Sequence, residues 1–388
     1  MEAKRLFNVK SSAIREVMEK VAKLKKEYDD VVSLCEGEPD FNTPEDIKIE
    51  TIRALMNNET HYSTSYGVLK LREKISELLY SKTGCKYNAE NEIMVTSGAA
   101  EAINNALLSF INPGDEVIVF TPAFITYKNI INMCEAEFIE IPLKIENNFQ
   151  IDMKAVKEKT TDKTKALILN NPCNPTGAVY KKELLEELCE WAKEKNILII
   201  SDEIYSDIVY DGVKAHSIAE FDGMKERLIL INGFSKTYAM TGWRLGYIAA
   251  DKKLMDIMLT MHTYCSTCSP TFLQIGLAES IDSERTKNDV DCMVEIFERR
   301  RKLAINMLKR CANLKFSIPY GAFYILLDVS DTGMDGTTFA RRLLDEKHVA
   351  LVSADSMGSG CKNIVRMSYA CSENVIKEGM DRLYDFVS

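Results

Sequence analysis

Residues 228–250 read LILINGFSKTYAMTGWRLGYIAA. The opening LILI has no polar residue alternating with the aliphatics, which fits a strand covered on both faces rather than one face wetted by solvent. Lys236 comes just after that run, at the strand's carboxyl end. An ammonium group brought to the edge of a buried sheet needs a partner or a reaction. The same texture recurs on either side. EIMVTS (92–97), EVIVF (116–120), KALILN (165–170), ILIISD (197–202) and LGYIAA (245–250) read as further strands. Between them run amphipathic helices, one with Ile103, Ala106, Leu107 and Phe110 on a stripe and another with Leu185, Leu188, Cys189 and Ala192. The alternation predicts an α/β fold: a mostly parallel sheet with helices on both faces and ligands at the carboxyl ends of its strands.

The predicted large domain covers 45–280. After it come a long charged helix (EIFERRRKLAINMLKR), a strand in AFYILLDV, another in NIVRMSYA and a closing helix that Ser372 can cap. These predict a smaller α+β domain from 281–388 with 1–44, the helix expected at 12–26 joining it or crossing the interface. Length excludes a single small core. The chain of 388 residues carries 49 Lys and Arg against 58 Asp and Glu, net −9, the wrong sign for a nucleic-acid binder. No apolar run approaches the roughly 18 residues of a membrane span, and MEAKRLFNVKSS shows no export signal, so the cytoplasm is the expected location. The eleven cysteines then read as reduced thiols. Cys265 and Cys268 in CSTC make half a zinc site at most, and no metal is expected.

Several chemical groups gather at the predicted strand ends. Thr96-Ser97-Gly98-Ala99-Ala100 is a small-residue turn opening a helix, suited to a phosphate or to a plain strand–helix connection. NPCNPTG (171–177) is a rigid irregular loop that fixes the direction of Asn174. Asp202, after ILIIS, is either a helix cap or a buried acid awaiting a cation. GFSKT lacks the upstream glycine of a phosphate-binding P-loop, leaving Lys236 a candidate amine nucleophile, with Arg244 returning towards the same edge. An amine, a buried acid, the Tyr205 phenol, an amide, an arginine and an anion-binding helix start are what a phosphorylated pyridine aldehyde requires.

Taken in order, SLCEGEPDFNTP (33–44), HYSTSYGVLKLREKI (61–75), NNPCNPTG, SDEIY, FSKTYAMTGWRLGY and VRMSYACSE (365–373) resemble the class I/II aminotransferases of the aspartate aminotransferase family over nearly the whole chain. The resemblance implies the transferase fold type I, pyridoxal 5′-phosphate (PLP) as cofactor, an amino acid and a 2-oxo acid as substrates, and a homodimer with shared active sites. It implies Lys236 as the residue that bonds the cofactor aldehyde and moves the substrate proton, and Asp202 as the partner of the ring nitrogen. Tyr205 and Asn174 match the groups on the ring's phenolic oxygen, and Phe124 the aromatic stacked on the ring. Gly98, Ala99, Ala100 and Arg244 match the phosphate cradle, to which Ser235 could add a hydroxyl, and Tyr62 reaches the neighbouring subunit's phosphate. Arg366, with the Gly37 backbone and Asn174, matches the grip on the substrate α-carboxylate. The chain departs from many members at the alanines after Gly98 and at Gly233, and no arginine for a distal carboxylate aligns. Transamination is the expected reaction, with an aspartate, aromatic or alanine donor. A PLP-dependent carbon–sulfur β-lyase is the alternative, and a ligand-sensing domain of a transcription regulator is disfavoured by the acidic charge.

Overall fold

The structure is a computed structural model that describes residues 3–7, 9 and 13–388. At its centre is a seven-stranded sheet, numbered here in chain order. The strands are β1 (Ile93–Thr96), β2 (Glu116–Thr121), β3 (Glu137–Pro142), β4 (Thr164–Asn170), β5 (Leu198–Asp202), β6 (Leu228–Gly233) and β7 (Gly246–Ala250). Their spatial order is β1-β7-β6-β5-β4-β2-β3. β2 runs parallel to β3 and β4, and β4, β5 and β6 are parallel in series; β7 alone runs opposite to its neighbours β6 and β1. β3 was not foreseen, because Glu137 and Glu140 interrupt its apolar run; it lies at the sheet edge, where such charges reach water.

The unbroken apolar strands do lie between two layers. Leu228 and Leu230 of β6 pack with Leu188 and Trp191 on one face, whereas Ile229 and Ile231 pack with Ile103, Ala106 and Leu107 on the other. Burying each such side chain stabilises the fold by about 1.5–3 kcal/mol, so a polar residue on either face of β6 would weaken the whole sheet.

Further along, Lys315–Phe316, Tyr324–Asp328, Val352–Ser353 and Ile364–Ser368 form a separate four-stranded antiparallel sheet. It packs with Phe297, Ile305 and Leu383 from the helices Glu284–Leu308 and Glu373–Val387. Ser372 caps the latter, its hydroxyl accepting from Val375 N at 3.4 Å. The N-terminal helix spans Ala13–Leu24, two residues short of the expected end, with residue 12 outside the described residues. Its Val21 packs with Val31, Cys35, Leu344 and Val352, beside the four-stranded sheet.

Register collects chemistry on one edge of the central sheet. Asn170, at the end of β4, pairs with Asp202, at the end of β5, and Asp202 pairs with Ile231 of β6. Gly233 and Thr96, at the ends of β6 and β1, both pair with Gly246 at the start of β7. Because β7 runs backwards, Arg244 just ahead of it falls on the edge where the other strands finish.

Candidate active site

That edge opens into a cavity of about 490 Å³. Gly37, Ala99, Ala100, Phe124, Asn174, Asp202, Tyr205, Ser235, Lys236, Arg244 and Arg366 all line it. Gly98 adjoins it behind the Arg244 guanidinium. Tyr62 does not join them; the residue is 87% exposed and outside this chain's cavity lining. A larger groove of about 870 Å³ beside the 142–158 segment carries only exposed ionisable groups.

Lys236 follows β6 in a turn and is half-buried. Its Nζ donates to the Gly37 carbonyl at 2.5 Å and lies 5.9 Å from the ring centroids of Tyr205 and Phe323. Burial lowers its pKa to about 8; Arg366 and Arg244 push in the same direction, whereas Glu38 and Asp202 oppose them. The amine is therefore partly unprotonated near neutrality, the state that attacks a carbonyl.

Asp202 caps no helix, because a turn and not a helix follows β5. Buried at 4% exposure, it accepts from the Tyr127 hydroxyl at 2.6 Å and from Ile204 N at 3.2 Å. Burial raises its pKa, with those hydrogen bonds opposing. No Lys, Arg or His among the described residues forms an ion pair with it. Such a carboxylate suits a cation supplied from outside the chain.

Tyr205 shares a hydrogen bond with the Tyr324 hydroxyl at 3.1 Å. Arg366, 2% exposed, stacks 4.5 Å above the Tyr324 ring; its Nη1 donates to Asn174 Oδ1 at 3.3 Å and its Nη2 to the Cys35 carbonyl at 3.1 Å. Asn174 is held in turn by its backbone N–H, which donates to Asn170 Oδ1 at 2.7 Å. A guanidinium fixed on three sides by uncharged groups keeps its full charge for a ligand anion.

Next to Arg244, helix Ala99–Phe110 starts at Gly98, whose φ of 85° places it in a region open to glycine. A Cβ on Gly98 would lie 2.7 Å from Arg244 Nη2, so the bare glycine makes room for the guanidinium. Among the described residues, no acceptor meets the Ala99 or Ala100 N–H. Two free amides, a helix N-terminus and an arginine side by side form a phosphate seat. An aldehyde-seeking amine, a cation-seeking acid and this seat share one cavity, and the residues fit a phosphorylated pyridine aldehyde.

The family model for aminotransferase class I and II matches residues 29–383. The chain belongs to the class I and II aminotransferases. An aspartate aminotransferase of Pyrococcus abyssi is 41% identical over 98% of this chain and 96% of its own length. A (5-formylfuran-3-yl)methyl phosphate transaminase of Methanocaldococcus jannaschii is 39% identical over the full length of both chains, 100% of each. Among solved structures, an aromatic aminotransferase from Pyrococcus horikoshii superposes with a TM-score of 0.90 at 39% identity, covering 96% of this chain and 98% of that one. This aminotransferase is a transaminase of fold type I; the family is generally PLP-dependent, and its members act on amino and 2-oxo acids. The comparisons give no support to carbon–sulfur β-elimination.

Three contributors escaped the sequence reading. Tyr127 fixes Asp202, Tyr324 joins Tyr205 to Arg366, and Asn170 donates through Nδ2 to the Asp202 carbonyl at 2.9 Å while holding Asn174. A signal existed for Tyr127, three residues beyond Phe124 in the first turn of the helix that Phe124 precedes. Tyr324 sits in the apolar run AFYILL, where an aromatic reads as core.

Proposed function

We propose that this aminotransferase binds PLP in the 490 Å³ cavity and exchanges an amino group between an L-amino acid and a 2-oxo acid in two successive half-reactions. The observation that carries the reading is the meeting of Lys236, Asp202, Arg366 and the Gly98–Arg244 seat around one cavity. When bound, PLP supplies an aldehyde that takes up an amine and a ring that accepts the electron pair released at the substrate Cα. Lys236 would contribute the amine that meets that aldehyde, and its Nζ would take the proton from the substrate Cα and deliver it to the former aldehyde carbon, two atoms away. Asp202 keeps a proton on the ring nitrogen, which stabilises charge drawn away from Cα. Tyr205 and Asn174 donate to the phenolic oxygen, and Phe124 packs against the ring. The Ala99 and Ala100 amides with Arg244 would hold the phosphate, to which the Ser235 hydroxyl, lining the same cavity, would add a donor. Arg366 grips the substrate α-carboxylate with the Gly37 backbone beside it and turns the Cα–H bond towards Lys236, so that orientation supplies much of the rate.

The donor is taken to be aspartate or an aromatic amino acid, as in the relatives so named. We further propose the division into a 45–280 cofactor-binding domain and a smaller domain of 1–44 with 281–388, supported by the separate seven-stranded and four-stranded sheets and by the pairing of Val32–Ser33 with Val349–Ala350. The smaller domain would close over the substrate and exclude water. The functional unit proposed is a cytoplasmic homodimer, in which the exposed Tyr62 reaches the other subunit's phosphate. Its support is an exposed apolar strip on helix Glu45–Met56, with Ile52 at 60% and Met56 at 76% exposure. Borohydride reduction of the PLP-loaded protein, followed by peptide mapping, is expected to place the pyridoxyl group on Lys236; a label elsewhere, or none, would overturn the reading. A screen of amino donors by the change in cofactor absorbance identifies the substrate.

A further inference from the structure

Two side-chain hydrogen bonds stitch the end of β6 and the turn that carries Lys236 to the turn that carries Tyr205. Ahead of the lysine, Asn232 Nδ2 donates to Ser206 Oγ at 3.1 Å. Just after it, Thr237 Oγ1 donates to Asp207 Oδ2 at 3.0 Å. Ser206 and Asp207 directly follow Tyr205, so Lys236 is pinned between two links to the phenol's own loop. The second oxygen of Asp207 accepts from Lys82 Nζ, near the C-terminal end of helix Leu69–Thr83. That ion pair is part-exposed and adds little stability by itself. What it does is aim: with one oxygen held by Lys82, the other is turned to Thr237, which is 4% exposed and has no water to fall back on.

We infer that Asp207, held by Lys82, is a positioning residue that acts through Thr237 to keep the Lys236 amine inside the active-site cavity beside Tyr205. The inference rests on the proposed role of Lys236 as the reactive amine. A reacting group misplaced by about 1 Å loses on the order of a hundredfold in rate, and a lysine has four rotatable bonds by which to stray. Anchoring the backbone one residue away leaves those bonds free but removes a further freedom, the motion of the turn that carries them.

The sign of one measurable change separates this role from simple electrostatics. Lys236 faces Glu38, Asp202, Arg244 and Arg366 in a desolvating cavity. If the stitch is cut, the amine can reach water, and its proton affinity rises. Deleting the Asp207 charge without movement would act the other way, because losing an anion disfavours an ammonium. Around Asp207 itself, Lys74, Lys82, Tyr238, Asp282, Lys287 and Asp291 line the adjoining crevice, and among the described residues Asp207 alone hydrogen-bonds Thr237 Oγ1.

The test is the pH dependence of reductive methylation of Lys236 by formaldehyde and cyanoborohydride, in protein freed of PLP and read by peptide mass mapping. The wild-type midpoint is expected at about 8. Asp207→Asn and Thr237→Val are expected to raise it by about one unit, a tenfold gain in proton affinity, while Thr237→Ser, which keeps the hydroxyl, stays at the wild-type value. Unchanged or lowered midpoints in both variants would overturn the inference, as would Thr237→Ser moving as far as Thr237→Val. Should Asp207→Asn fail to fold, Thr237→Val carries the test, since it leaves the Lys82 pair intact. Unfolding of Thr237→Val itself also counts against the inference, because one hydroxyl would then be serving the fold and not the amine. Borohydride labelling of loaded wild type runs alongside: no label at Lys236 refutes the proposed function, whereas a label with unmoved midpoints refutes this inference alone.

Discussion

Replacing Gly98 with alanine perturbs one atom at the proposed phosphate seat. Gly98 has φ 85° and ψ 166°, a combination open essentially to glycine alone. Holding an alanine there costs about 1–3 kcal/mol of folding stability. The new Cβ would lie 2.7 Å from Arg244 Nη2 and 3.1 Å from Cζ, where carbon contacts settle at about 3.5–4.0 Å. The guanidinium must therefore retreat by roughly 1 Å. Its anchors are weak enough to let it go: Nη1 on the Thr241 carbonyl at 3.0 Å and Nη2 on the Ser97 carbonyl at 3.5 Å. A hydrogen bond to a charged group contributes about 1.5–3 kcal/mol, so losing the arginine's hold on a phosphate weakens binding about 10- to 100-fold at 1.4 kcal/mol per decade. Titration of PLP-free Gly98→Ala with PLP, followed at the cofactor's absorbance band, measures this directly. Arg244→Ala is expected to lose a comparable factor, and the double variant less than the product of the two, because both changes remove one interaction. Affinity in Gly98→Ala within about twofold of wild type would refute the reasoning, and so would full additivity with Arg244→Ala.

Two further outcomes follow from the buried charges. Asp202→Asn is expected to lower turnover by about 10²–10³ without lowering the melting temperature of the PLP-free protein. Burial lifts the folded pKa of Asp202 above the ordinary 3.8, so its penalty sets in as pH rises past 3.8 and is complete above the folded value. The variant's calorimetric advantage should therefore grow across that window and stay flat below it; an advantage independent of pH would contradict the assignment. Lys236→Met is expected to be inactive yet, without PLP, no less stable than wild type at neutral pH. Because burial sets this amine to about 8 against an ordinary 10.5, the unfolded chain binds the extra proton between those values and wild type gains stability as pH climbs through them. The melting-temperature difference between variant and wild type should shrink over that interval, and a constant difference would argue against a desolvated amine.

Much of the fold was legible because the apolar runs leave little choice. LILI at 228–231 can be satisfied only between two apolar layers, and the structure gives it both. The edge strand β3 was not legible, since its glutamates break the pattern and their exposure depends on which strand ends the sheet. The helix-cap alternative for Asp202 fell to the turn that follows it, a feature the residues 203–207 do not announce. Of the candidate site residues, those carried by the motifs around Lys236, Asp202 and Asn174 gather in the cavity, whereas Tyr62 lies outside it.

Sequence by itself determined six of the seven central strands, the amphipathic helices it singled out and the family, because those depend on local periodicity and on motifs that stay together along the chain. Only the tertiary structure decided which groups touch. Tyr127 meets Asp202 across 75 residues, Tyr205 meets Tyr324 across 119, and Arg366 meets Asn174 across 192. Such contacts are fixed by sheet order, by the reversed direction of β7 and by how two sheets pack, and no window of sequence contains both partners. The charge states of Lys236 and Asp202 belong to the same class, because desolvation is set by everything packed around a group and not by its neighbours in the chain.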